Sequence, residues 1–196
     1  MYHKHHTKGI IIAGVADGMS DKRVGIFTEN LGFLWAKVQS VRSGTSRLRS
    51  HCQDFTCGEF SLVHGKTGWR VVSIRSDKNL YELIKNSPEK IKILANIFRL
   101  LRKLLNGEEA NQQLFSMLDN FLGFLVVARG AEATLAEYLI LSKILYCLGF
   151  LKESPELSTY IGVTEINEAH LALLAPKRVD LIKLINDSLK AAQIGS

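Results

Sequence analysis

Apolar and polar positions alternate with a period of two through roughly the first eighty residues, then recur with a period near 3.6. The first regime predicts strands at residues 7–13, 23–28, 32–41, 59–63 and 69–74. The last two are joined by the glycine-bearing turn His64-Gly65-Lys66-Thr67-Gly68. Five short strands in that length predict a small barrel. The second regime predicts helices. Ser87-Pro88-Glu89 supplies a cap, a first-turn proline and an acid that suits the helix dipole, and that helix runs to about residue 105, where Asn106-Gly107 stops it. Further helices are predicted at residues 109–128, 131–150 and 176–193, and stripes such as Ile93, Leu94, Ile97, Leu101 and Leu104 form their core. The fold class is α+β, with a barrel domain over residues 1–78 followed by an all-α domain over residues 79–196.

The third strand separates two faces. Leu34, Ala36 and Val38 share one, while Phe33, Trp35, Lys37 and Gln39 share the other, because side chains alternate along a strand. With the aliphatic face inside, two aromatics and a lysine stand outside, a set able to stack unpaired bases beside a phosphate-binding cation. Burial of Phe33 and Trp35 under the helical domain is the competing expectation, and both stay open. Between strands three and four, Arg42, Arg47 and Arg49 are spaced by Ser43, Gly44, Thr45, Ser46 and Leu48, a donor-rich loop suited to phosphate oxygens.

Charge sharpens this division. Residues 1–80 hold 12 lysines and arginines against 6 acids, whereas residues 81–196 hold 13 of each, so the whole net charge of +6 belongs to the barrel half. A basic small domain implies an anionic partner. With 196 residues, 46% of them apolar, the chain has enough material for two packed cores. The apolar run at residues 121–127 is too short to span a membrane, and the run at 135–151 carries Glu137 and Lys143. No secretory cleavage pattern follows the start, so a cytoplasmic location is expected.

Cys52, Cys57 and Cys147 suit a reducing compartment as thiols, and the first two alone cannot complete a metal cage. His3, with His5 and His6 after it, offers copper or nickel a terminal site, and a frayed, incidental terminus is the expectation preferred to it. Phosphate-loop and nucleophile-elbow patterns are absent, as are carboxylates paired for acid–base work, so the chain is not expected to be an enzyme.

An ordered series of residues resembles RecO, the bacterial recombination mediator and DNA-annealing family. It begins with Thr7-Lys8-Gly9-Ile10-Ile11, Gly18, Asp21-Lys22, Phe27-Thr28, Gly32 and Leu34. It continues through Val41-Arg42, Ser46-Arg47-Leu48, Gln53, Phe55 and Glu59-Phe60. The likeness covers residues 7–76 well and the helices in outline. It implies an N-terminal five-stranded OB-fold barrel before the helical domain, and a protein that binds single- and double-stranded DNA and anneals complementary strands. With RecR it would assist RecA loading onto DNA coated by single-strand binding protein, in a nucleoid-associated setting.

On this basis Lys8, Lys22, Arg23, Lys37, Arg42, Arg47 and Arg49 are the candidate phosphate contacts, with Ser46 in the same loop and Phe33 and Trp35 as stacking groups. Strand alternation leaves the direction of Arg23 open. Arg99, Arg102, Lys103 and Arg129 are the candidates for the acidic C-terminal tail of the single-strand binding protein. The chain departs from the family at Phe33, where a lysine is common, at Gln39, where a basic residue is usual, and at Ser40, where glycine is usual. Cys147-Leu148-Gly149-Phe150 resembles the end of the helix before the family's four-cysteine zinc loop. Residues 152–170 hold no cysteine, so neither zinc nor any other cofactor is expected. A protein adaptor with a basic barrel, or an RNA-binding OB-fold protein, are the alternatives.

Overall fold

The computed structural model describes residues 3–41, 46, 48–105, 107–151, 166 and 168–191. Five strands, β1 (Lys4–Asp17), β2 (Asp21–Thr28), β3 (Gly32–Val38), β4 (Thr56–Gly65) and β5 (Gly68–Asn79), close into a barrel in the order β1-β2-β3-β5-β4. Neighbours are antiparallel except β3 and β5, which run parallel. This is the expected OB-like barrel. β1 serves two neighbours, pairing with β4 over its first half and with β2 over its second, and a register shift between Ile11 and Ala13 turns it from one to the other. β3 stops at Val38, three residues short of its predicted end, because Ser40 turns the chain at φ +51°.

The aliphatic face of β3 is inside, as its alternation predicts. Leu34, Ala36 and Val38 pack with Ile11, Val24, Ile26, Phe60, Leu62 and Val71 in one core. Val41 and Cys52 from the β3–β4 connection join it.

The chain divides into two compact units, one of residues 1–85 with 105–115, the other of residues 86–104 with 116–196. The first therefore holds the barrel, the short helix α1 (Leu80–Ile84) and a segment to which the chain returns after α2 (Pro88–Leu104). Several contacts fasten that segment. The Phe33 N–H donates to Gly107 O at 3.3 Å, the Trp69 indole N–H donates to Glu108 Oε1 at 2.7 Å, and the Phe115 ring packs on Phe27 at 5.6 Å. Gly32 sits so close to the Glu109 backbone that a Cβ would lie 2.4 Å from its carbonyl oxygen.

In the second unit, α3 (Gln112–Val127), whose first turn belongs to the barrel unit, is followed by α4 (Ala131–Cys147) and α5 (Glu168–Leu174). A 3-10 turn (Ala175–Lys177) then leads into α6 (Arg178–Ala191). The start of α3 is later than the pattern suggested because Asn111 caps it, its side-chain oxygen accepting the Leu114 N–H at 2.9 Å. Likewise α4 ends early, where Gly149 at φ +76° lets the Phe150 N–H reach Leu145 O and the Gly149 N–H reach Tyr146 O. Lys143 is fully buried in α4, and burial draws its ammonium pKa below the ordinary value. Among the described residues, no helix is long and apolar enough to cross a membrane.

Candidate nucleic-acid interface

Strand register decides which outward side chains stand abreast. Cys57, Ile10, Phe27 and Phe33 form one outward row across β4, β1, β2 and β3, and all four are buried. Two steps along, Gly25 of β2 faces Trp35 of β3; two more bring Arg23 opposite Lys37, which in turn faces Arg70 on β5. Val63 of β4 and then Lys4 of β1 continue this row.

The outer face of β3 is therefore graded. Phe33 is 8% exposed, Trp35 is half-buried, and Lys37 reaches solvent. Phe33 touches Trp35 edge-on at 5.9 Å, and the Arg23 guanidinium lies over the Trp35 ring, 6.0 Å from its centre. Arg23 thus shares the face of Trp35 and Lys37. Phe33, by contrast, is too deeply buried to present a ring face to a base in this structure.

Beside the row, Lys37, Gln39, Val63, Gly65, Lys66, Thr67 and Arg70 line an open groove of about 270 Å³. Three cations and no carboxylate line it. Arg70 donates to Gln39 Oε1 at 3.4 Å. Lys66 and Arg70 were not among the residues singled out from sequence, although their signal was there: a lysine at the tip of a predicted hairpin and an arginine just inside the strand after it. The groove lies between the end of β3 and the β4–β5 hairpin, whose loop is one of those OB folds use for oligonucleotides.

Other candidates are engaged elsewhere. The Lys22 ammonium donates to Asp54 Oδ1 at 2.7 Å and to Cys52 O at 3.1 Å, which ties the β3–β4 connection to β2. Lys8 faces Glu59 across β4 and lies with His6, Ser61, Ser73 and Arg75 around a second groove of about 300 Å³. There Arg75 pairs with Glu59 at 2.8 Å, so charges alternate where the first row repeats one sign. Arg49 is exposed in the turn after Ser46, whose carbonyl accepts the Arg49 N–H at 3.3 Å. Arg42 and Arg47 lie outside the described residues.

The N-terminus is not frayed where it is described. His5 packs edge-on against Trp69 at 5.2 Å, and His6 Nδ1 lies 3.0 Å from Ser61 Oγ. Met1 and Tyr2 lie outside the described residues. Cys52 and Cys57 are both buried, and burial pushes the Cys52 thiol up to about 12. Among the described residues no three His, Cys, Asp or Glu side chains converge to hold a metal ion, and residues 152–165, where the family's zinc loop would fall, lie outside them.

The four candidate cations of the helical unit do not form one cluster. Arg99, Arg102 and Lys103 are exposed near the end of α2, three and four residues apart and so on one face. Lys90, near the start of α2, donates to Val126 O at the end of α3. That contact places Arg129 by the opposite end of α2, because nine residues of helix from Lys90 to Arg99 span about 13 Å.

Residues 1–76 match the family model described as Recombination protein O N terminal. Curated relatives include the DNA repair protein RecO of Alkaliphilus metalliredigens, 22% identical over 67% of this chain and 56% of its own length. The DNA repair protein RecO of Acetivibrio thermocellus is 27% identical over 59% of this chain and 46% of its own length. That of Synechocystis sp. is 23% identical over 70% of this chain and 57% of its own length. The chain thus spans about half the length of the curated relatives it matches. The barrel thus carries a RecO N-terminal domain, and over most of its length the chain is similar to DNA repair proteins of the RecO family.

Proposed function

We propose that the face built on Arg23, Trp35, Lys37 and Arg70, with Lys66 at its edge, binds the phosphate backbone of DNA in recombination repair. The row of like charges carries this. Like charges directly opposite one another in a sheet are destabilising, by a few tenths of a kcal/mol to about 1 kcal/mol per pair, and among the described residues carboxylates offset only Lys37 of the three, not Arg23 or Arg70. An anionic ligand makes the row favourable. Trp35 adds a half-open ring, and base stacking on such a ring contributes about 1–3 kcal/mol.

The likeness to RecO proteins supports the finer roles, which form part of the proposal: annealing of complementary strands, and work with RecR, single-strand binding protein and RecA in the bacterial cytoplasm. Annealing needs phosphate neutralisation and accessible bases rather than bond-making groups, so no catalytic residue is assigned. The arginines of the β3–β4 loop extend the phosphate surface, and Arg99, Arg102 and Lys103 are the part of the helical unit to which an acidic tail would bind. A labelled tail peptide should lose affinity for the full chain when these three are replaced by Gln.

The deciding experiment is single-stranded DNA binding over a salt series. Replacing Arg23 and Arg70 by Gln should flatten the logarithmic salt slope by about 1.4 and weaken binding about 25-fold at 100 mM salt, at about 0.7 per lost contact. An unchanged slope removes this face from the interface. If replacing Arg42, Arg47 and Arg49 flattens the slope while the row variants do not, the loop alone is the phosphate surface.

A further inference from the structure

The three row cations differ in what holds them. Arg23 leans on Trp35 and Arg70 reaches the neutral Gln39, but Lys37 is held by two carboxylates. Its ammonium lies 2.9 Å from Asp21 Oδ2 and 3.4 Å from Asp17 Oδ2. These acids are the last residue of β1 and the first of β2, and they face each other as the closing pair of the hairpin. Two like charges so placed repel, and Lys37 relieves that repulsion.

We propose that Asp17 and Asp21 compete with phosphate for Lys37, so that the barrel keeps one cation of its DNA face in reserve and binds more weakly than its charge allows. The proposal rests on the DNA-binding role of the Arg23–Lys37–Arg70 row and adds a means of tuning it. Asp21 is fixed, since its Oδ1 accepts the Ser40 N–H at 2.8 Å. The same contacts favour the charged forms of Asp21 and Lys37: the Ser40 amide and Lys37 draw the Asp21 carboxyl below its ordinary value, and the two carboxylates raise Lys37 above its own.

The ion pairs are within reach of a ligand. The Lys37 and Asp17 side chains are 43% and 38% exposed, and the turn between the acids ends in open solvent at Met19, which is 96% exposed. A phosphate arriving at the groove beside Lys37 either displaces the carboxylates or leaves this lysine unused. Either outcome lowers affinity, and an annealing protein gains from that because it must let strands go once they have paired.

Asp17→Asn is the cleaner variant, because Asp21 also positions a backbone amide; Asp21→Asn keeps an oxygen for that bond and serves as the second. Single-stranded DNA binding by the full chain should tighten in Asp17→Asn, with the salt slope steeper by about 0.7. The affinity ratio of variant to parent should then shrink about 2.6-fold between 50 and 200 mM salt. In a Lys37→Met background the same substitution should change neither quantity. An unchanged slope in Asp17→Asn and Asp21→Asn, or a gain that persists without Lys37, overturns the proposal. Arg70→Gln in the same series reports separately on the face: if it weakens binding while the acid variants do nothing, only the competition is wrong, and if it has no effect, the DNA face itself is wrong.

Discussion

Both halves of the molecule carry clustered cations, but the two clusters stand differently to their own folds. Arg102 and Lys103 occupy the last turn of α2, and Arg99 stands one turn before them. Cations there face the negative end of the helix dipole and stabilise the helix by about 0.3–1 kcal/mol each. Arg23, Lys37 and Arg70 have no such backbone field. Sheet strands sit about 4.8 Å apart, so the register sets three positive side chains abreast, a cost that Asp17 and Asp21 offset at Lys37 but that, among the described residues, no carboxylate offsets at Arg23 or Arg70. A cation cluster that helps its own fold says little about ligands, while one that opposes its fold points to them.

The largest expected contrast concerns backbone approach. Gly32→Ala adds a Cβ 2.4 Å from Glu109 O at a residue with φ +69°, and it should destabilise the barrel unit by about 2–4 kcal/mol in urea unfolding. Gly123→Ala in α3 meets nothing within 4 Å and should stabilise by up to about 1 kcal/mol. Similar costs at both positions would show that residues 105–115 do not brace the barrel.

Next comes charge. Removing Arg99 and Arg102 together should change single-stranded DNA affinity less than twofold, against about 25-fold for Arg23 and Arg70. Equal losses would erase the distinction between the two clusters.

A smaller effect comes from Cys52, whose folded pKa is raised. The unfolded thiol ionises near 9.0 and the folded one only near 12, so the stabilising difference is complete below pH 9 and is lost as pH rises through that window. Stability should fall by about 1 kcal/mol between pH 9 and pH 10 from this group. Cys52→Ala, although less stable throughout, should show a shallower decline.

The smallest effect is at Ser40. Its φ of +51° is costly for a side chain, so Ser40→Gly should stabilise by about 0.5 kcal/mol after glycine's added chain entropy, with DNA binding unchanged.

Much of this architecture was legible as period. Alternation in β3 placed Leu34, Ala36 and Val38 inside and Trp35 and Lys37 outside, because a strand obeys the same parity wherever it sits. Abreast relations were not legible. That Arg70 stands beside Lys37 depends on a parallel pairing between strands more than thirty residues apart, which local pattern does not encode. The return of residues 105–115 left no periodic trace either, and with it went the Phe33–Gly107 hydrogen bond, the Phe27–Phe115 contact and the true start of α3. Ion pairs redistributed the rest: Lys22 looked like Lys37 in sequence, yet Asp54 and the Cys52 carbonyl hold it at the β3–β4 connection.

The returning segment also orders events during synthesis. All five strands precede residues 105–115 in the chain and emerge first, so a newly made barrel can close before Phe27 gains its Phe115 partner and Phe33 its hydrogen bond to Gly107. In that interval the nascent barrel should expose apolar surface that the finished protein buries. A fragment cut at the apparent strand–helix boundary would stay in that condition, and it should self-associate where one extended past Phe115 does not.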